Sequence, residues 1–402
     1  MKQKLFISIL IFVAFFQTNA QNDSTKLFHR QYEIGLGTNY DIQNSAVNGL
    51  TVFKLTQDAY TYGVRPHLPK TLGNIVGGFW SFSFTYLAMI WPHEFGHFSR
   101  AKQVDGLFKI HNIGLPFPYT TMHLPDEISL EQNALTVIGG FEVNYLTARN
   151  IQTDFFEYNG AYNDALSLAF AHRMMYTVYT SIVIPQNPST PETWINTGGD
   201  PVHICLPVWK NYSNGQVFMS DSSVNPGLVK YYNESSLFAT FWNLADPTFY
   251  KEIAALFGDV KDGKKPWYII GNETTGWSYG TTFNTSVLGY ELYLNNFLKV
   301  NDKLYMIYFK YGRPFKNNAI GVYSPNLYEN KKIKLGASVE IFDQDIYGKG
   351  FASYANVSYK FYKKLSLNIQ AGYKTDGYVL GKQLNEGFLG FFSLKYDVFN
   401  SL

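Results

Sequence analysis

Hydropathy patterning predicts an α+β fold in which a helical region is joined to an antiparallel β-barrel of about eight strands. Three observations carry the prediction. From about Thr71 to Pro266 the apolar residues run in long helical segments broken by polar loops. Beyond Trp267 the period falls to two, in runs that end at turn signals such as Lys363-Lys364 and Asp376-Gly377. Aromatic residues make up 18% of the chain, and Tyr and Phe recur in these runs where the girdles of an outer-membrane barrel would lie.

Taken in order, residues 1–20 carry Lys2 and Lys4, an apolar core from Leu5 to Phe16, and Thr18-Asn19-Ala20 before Gln21. A basic start, a short apolar run and small residues at the cut mark a secretory signal peptide cleaved after Ala20, which sends the chain to the cell envelope. Without Lys2 and Lys4 the 33 basic residues become 31, against 31 acidic ones. No net field then draws nucleic acid or an anionic surface, and nucleic acid is not expected as a partner. The single Cys205 cannot form an intrachain disulfide and reads as a small buried apolar residue.

Residues 21–70 read as an N-terminal strand, Gln31 to Gln43, with a linker. Thr71 to Pro92 has no charged residue; at ~1.5 Å per residue it is long enough to cross a bilayer core, or to serve as a central helix buried on all sides. Leu107 to His123 reads as short extended segments broken by Gly114, Pro116 and Pro118. Helices are expected over Ser129 to Arg149, Tyr162 to Ile184 and Leu237 to Phe257, with loops over the Pro-, Asn-, Ser- and Gly-rich stretch Gln186 to Ser223. The helical region thus spans 71–266 and the barrel-like region 267–402. In the latter, Ile333, Leu335, Ala337, Val339 and Ile341 alternate with Lys334, Gly336, Ser338 and Glu340, and runs from Ala355 and Leu365 repeat the pattern. About seven such strands after Trp277, joined to the N-terminal one, would close a barrel with the helical region inserted after its first strand. A soluble β-sandwich shares the alternation, but the export signal and the aromatic-rich strands favour the barrel.

Chemistry is spelled out in one place. His93-Glu94-Phe95-Gly96-His97 lies just past the apolar run. Two histidines four apart on a helix project from one face, so both imidazoles reach one metal ion, and the adjacent glutamate can deprotonate a water held there. This is the HExxH pattern of zincin-like metallopeptidases. The bulky apolar neighbours Ile90, Trp91, Phe95 and Phe98 would bury these groups, and a buried charge needs a partner such as a divalent cation. A third protein ligand is required. Glu142 is expected to supply it, as a lone carboxylate in the otherwise nearly apolar run Thr136 to Asn144. Asp246 is its rival, although Asp-Pro is also a common helix cap. Glu252 reads as solvated, and His172 as a core residue or a donor standing behind the ligands. His111 and His123 are weaker candidates.

The run His93 to Phe98, with Ala101, Gly106 and Phe108-Lys109-Ile110 to Gly114, and the later G-x-x-x-N of Gly140 to Asn144, resembles the site-2 protease family of membrane zinc proteases over residues 71–148. The resemblance implies His93 and His97 as ligands, Glu94 as general base and Asn144 as an active-site polar group. It also implies an aspartate ligand in a Leu-Asp-Gly element. No Leu-Asp-Gly occurs in the sequence, and Asn243-Leu244-Ala245-Asp246 is a partial echo. A cleaved signal and a β-rich second half depart from a helical inner-membrane protease.

The expectation is therefore an exported zinc metallopeptidase associated with the outer membrane. Zn2+ would sit on His93, His97 and Glu142, with Glu94 as the base. A protein or peptide substrate and membrane lipid would be its partners, and the segment Leu107 to His123 could offer a strand edge to the substrate. The alternatives are an outer-membrane structural or transport protein with a non-catalytic metal site, and a zinc hydrolase of lipid or cell-wall amides.

Overall fold

The computed structural model describes residues 28–37, 42–111, 119–183, 190, 192, 194, 199–220, 223–260 and 262–399; the expected signal peptide lies outside them. The first strand, β1 (Arg30–Gly35), is short, and a helix, α1 (Ile42–Asp58), follows where more strand and a linker were expected. Its period explains the correction. Ile42, Ala46, Leu50 and Phe53 recur at helical spacing and all are buried.

After a π-helical turn (Ala59–Val64) and a 3-10 turn (Arg65–His67) comes the long helix α2 (Lys70–Lys102), which continues through Pro92. Gly49 of α1 makes room for that ring, since a Cβ there would lie 2.4 Å from Pro92 Cγ. Helix α2 is not buried on all sides: Leu72, Ile75, Phe79 and Phe82 are exposed. Nor is any helix among the described residues long and apolar enough to cross a membrane.

A hairpin of β2 (Leu107–His111) and β3 (Tyr119–His123) leads to α3 (Leu130–Glu157). Ser129 and Gln132 form a capping box at its start, satisfying backbone donors that the first turn leaves free. Next come β4 (Ala161–Tyr162) and α4 (Asn163–Val178), closed by a π-helical turn, Tyr179–Val183. Helix α5 (Gly199–Tyr212) occupies part of the stretch expected as loop. Pro201 falls in its first turn, where the missing N–H costs nothing, and Val202, Cys205 and Val208 are buried. Short β5 (Phe218–Ser220) and β6 (Ser223–Val224) precede α6 (Pro226–Leu244) and α7 (Pro247–Ala255), which replace the single helix expected there. The break is Asp246, which is extended and caps α7 through Thr248 N–H.

The strands β7 (Gly263–Lys264), β8 (Ile270–Gly271), β9 (Gly276–Ser286), β10 (Gly289–Val300), β11 (Lys303–Pro314), β12 (Asn317–Glu329), β13 (Ile333–Gln344), β14 (Gly348–Tyr362), β15 (Leu365–Lys374) and β16 (Gly387–Phe399) complete the described elements. Ten strands form one antiparallel sheet in the order β1-β16-β15-β14-β13-β12-β11-β10-β9-β8. The N-terminal strand pairs with β16, from Arg30 opposite Phe399 to Gly35 opposite Ser393. The sheet is open, however, where a closed barrel of eight strands was expected.

Side chains take the place of the missing neighbour strand. Along the free edge of β1, the Thr51 hydroxyl accepts from Glu33 N–H and donates to Glu33 C=O, Asn48 Oδ1 accepts from Gly35 N–H, and Lys54 Nζ donates to Gln31 C=O. At the far edge, Thr281 of β9 donates its N–H to Asp246 and accepts at its C=O from Arg173. Edge groups that would otherwise invite another strand are satisfied by helices.

The alternation of the strands is inverted relative to a soluble sheet. Val339 and Ile341 are 45% and 58% exposed, whereas Ser338 and Glu340 between and beside them are 5% and 4% exposed. On β13 and β15 apolar side chains point outward and polar ones inward, toward α3, whereas β11 also buries Leu304, Met306 and Tyr308 on its inner side. The inner side leaves a polar cavity of about 230 Å³ whose lining includes Lys54, Arg149, Asp154, Glu340, Asn368 and Gln370.

Candidate metal centre

His93 and His97 lie one turn apart on α2, just past Pro92. Helix α2 crosses α3 at a pair of glycines. A Cβ on Gly96 would lie 2.1 Å from Gly139 O, and one on Gly139 2.3 Å from Gly96 O. Gly140 is small for a different reason, because a Cβ there would stand 2.5 Å from the His93 ring. The crossing therefore sets the backbone of α3 against the imidazoles, while α5 delivers Asp200 from its first turn.

Three donor atoms converge. His93 Nε2 is 2.8 Å and His97 Nε2 3.3 Å from Asp200 Oδ2, and the two nitrogens are 3.2 Å apart. Among the described residues this is the one group of three such donors drawn together. Ligands held ~2.0–2.1 Å from zinc at tetrahedral angles sit about 3.3 Å from one another. Two of the three separations match that edge, and the third is contracted to a hydrogen bond.

Both imidazoles are oriented from behind. His97 Nδ1–H donates to the Thr136 carbonyl at 3.0 Å, which leaves Nε2 with a lone pair for a cation. His93 Nδ1 meets the Asn144 amide at 3.1 Å, and the same amide meets His172 Nδ1 at 2.9 Å. An amide can be turned either way round. With its oxygen toward His93 it accepts Nδ1–H and frees Nε2, while its nitrogen donates to His172. The edge of the His93 ring also packs on Phe141, with centroids 5.2 Å apart.

Burial by itself would lower His97, but the Asp200 charge, its hydrogen bond and Glu94 override it and push the imidazole up to about 9. Burial would raise Asp200; the charge of His97 and the hydrogen bonds from both histidines instead hold its carboxyl well below the usual carboxylate range. Without a metal the cluster is therefore an imidazolium–carboxylate pair. His172 is pushed down to about 3 by burial and by His93, and it stays neutral. Glu94 is 8% exposed and its Oε2 is buried without a hydrogen-bond partner among the described residues. Tyr179 belongs to the same neighbourhood: burial first, then Asp200 and Glu94, raise its phenol.

Glu142 is a correction. It is buried as expected, but its partner is a cation of the chain itself: Arg100 Nε donates to Oε2 at 2.7 Å and Nη2 to Oε1. Gly381 N–H and the Tyr378 hydroxyl also donate to Oε1, at 2.6 and 3.2 Å. Two residues beyond Gly140, Glu142 is turned about 200° around the helix from the face that meets His93. Asp246 serves as the helix cap and pairs with Arg173. Glu252, expected to be solvated, is buried against Arg173. His172 is buried behind the ligands, where it meets the Asn144 amide, and His111 bonds Thr121 in the hairpin, outside the cluster.

Asp200 escaped the sequence because it sits in a Pro- and Gly-rich stretch that reads as loop. Its signal was Asp200-Pro201 followed by Val202, Cys205 and Val208 at helical spacing, a helix start in place of a turn. No family model, no curated protein and no solved structure matches this chain.

Proposed function

We propose that the chain is an exported zinc metallopeptidase, held in the outer membrane, that hydrolyses peptide bonds of a protein or peptide substrate. The observation that carries this reading is the convergence of His93, His97 and Asp200 beside a Glu94 oxygen that has no hydrogen-bond partner among the described residues. Two imidazoles and one carboxylate with a fourth place left open are the donor set of catalytic zinc. Zn2+ held there would act as a Lewis acid and lower the pKa of water. Thr136 and Asn144 fix the imidazole planes. Glu94 takes the proton of the attacking water and passes it to the leaving nitrogen. An aspartate as the third donor agrees in residue type with what the resemblance to site-2 proteases implies, although it comes in Gly199-Asp200-Pro201. The envelope setting is supported by the inverted sheet, whose apolar side chains face out.

The test is Glu94→Gln in the full chain, read by bound zinc and by cleavage of a broad peptide library. Zinc should stay bound while hydrolysis falls about 10²–10⁴-fold, the range for loss of a general base. Full hydrolysis by the metal-loaded variant would sink the proposal. Zinc binding without any hydrolysis by the unsubstituted chain would favour an outer-membrane protein with a non-catalytic metal site. Release of fatty acid or of cell-wall amide products would favour the hydrolase of those substrates.

A further inference from the structure

The open sheet is completed into a ring by helices. β1 lies against α1, α1 against α2, α2 against α4, α4 against α6, and α6 against β9. We propose that bilayer hydrocarbon covers both parts of this ring, so that one side of the lipid-facing belt is made of α1, α2 and α6; this rests on the outer-membrane reading above.

The sheet side sets the standard. Outward positions Tyr305 to Tyr311 on β11, Ile333 to Ile341 on β13 and Leu365 to Ala371 on β15 carry no charge, and Lys303, Arg313 and Asp343 come at the strand ends. Ile333 to Ile341, at ~3.3 Å per residue, spans about 26 Å, close to the ~25 Å apolar band of an outer-membrane protein. The helical side matches it. Leu72, Ile75, Phe79 and Phe82 form one stripe on α2, with Phe79 and Phe82 exposed by 73% and 75%. Val52 and Leu55 of α1 and Leu237, Phe238 and Phe241 of α6 are exposed as well. Apolar stripes of this kind are foreign to a water-facing wall.

One stripe also explains why α2 is not apolar enough to cross alone: its other faces pack on protein. Hydrogen bonds from the helices also reach backbone groups at the sheet edges, as hydrocarbon demands of the groups it covers. Asn48, Thr51 and Lys54 seal β1, and Asp246 and Arg173 serve Thr281 of β9. The stripe ends at Phe82, about three turns before His93.

The experiment uses the full chain in phosphatidylcholine vesicles with Cys205→Ala, so that single cysteines can carry a nitroxide label. Labels at Phe79→Cys, Phe82→Cys and Phe238→Cys report the helices, Ile341→Cys the sheet, and Lys331→Cys a turn. Collisions with oxygen report hydrocarbon, and collisions with a water-soluble nickel chelate report water. The helical labels should behave like Ile341, gaining oxygen broadening and losing nickel broadening relative to Lys331. If Ile341 is lipid-like but the helical labels are water-like, or shielded from both reagents, the inference falls and the outer-membrane reading stands. If Ile341 is itself water-like, the outer-membrane reading falls and takes the inference with it.

Discussion

Replacing Asp200 with Asn and Glu142 with Gln separates the two things a buried carboxylate can do. Asp200 Oδ2 stands within 3.3 Å of both Nε2 atoms, so Asp200→Asn removes the only negative charge among the three converging donors. Changing even the partners behind metal ligands costs 10–100-fold in affinity, so about 100-fold, or roughly 2.7 kcal/mol, is the least expected here. Glu142→Gln acts elsewhere. Arg100 is fully buried and would lose its carboxylate partner, and breaking such a pair from one side costs about 3–5 kcal/mol. An amide oxygen can still accept from Gly381 N–H and Tyr378, which keeps the loop in place. Competition with a chromogenic zinc chelator gives the affinities, and denaturant midpoints give the stabilities. The expected pattern is weak zinc for Asp200→Asn, and normal zinc with a lowered midpoint for Glu142→Gln. The reverse pattern would refute the assignment of the third ligand.

Other expectations follow from the same geometry. In chelator-treated protein His97 is raised from 6.5 to about 9. The folded state then holds a proton that the unfolded state sheds between those values, so the contribution is whole below pH 6.5 and lost as pH rises through about 9. That difference is worth about 3 kcal/mol. A denaturant midpoint that stays flat between pH 6 and 9.5, or a slope that survives Asp200→Asn, would contradict it. Asn144→Ala strips both His93 and His172 of a partner and should weaken zinc by about 10–100-fold with the ligands intact, as read by the same competition. Gly96→Ala puts a methyl 2.1 Å from the Gly139 carbonyl oxygen and should cost about 1–3 kcal/mol or more in thermal stability. Gly78→Ala, with nothing within 4 Å, should stabilise the same helix by about 0.4–1 kcal/mol.

What could be read from the sequence followed periodicity and local spacing. The HEFGH turn, the uncharged helix before it and the alternating strands from Ile333 to Ala371 depend on neighbours along the chain, and they appear where expected. Glu142 shows the limit. A buried carboxylate does need a cation, but Arg100, one turn beyond His97, is as good a cation as a metal, and pairing across helices is not written in either segment. Asp200 lay in a stretch whose Pro and Gly content hid a helix start. Helix α1 was missed because a polar, lightly charged sequence was read by its first strand alone. Closure of the sheet was misjudged because hydrogen bonds from Asn48, Thr51 and Lys54 can end a sheet without a strand, and nothing in local pattern marks a side chain for that task.

The pairing of β1 with β16 bears on the order in which the molecule is made. Gln31 must find Asp397, 366 positions later, and all the described helices lie between them. Such distant contacts pay loop-closure entropy before they return any stability, so they form late and slowly. Arg100 donates to Lys382 C=O, and Glu142 accepts from Gly381 N–H, so the helices that cross at the metal centre are tied to the loop just ahead of the last described strand. A chain still emerging lacks both ties. Assembly of the His93–His97–Asp200 cluster is thereby coupled to completion of the sheet, a delay written into topology alone.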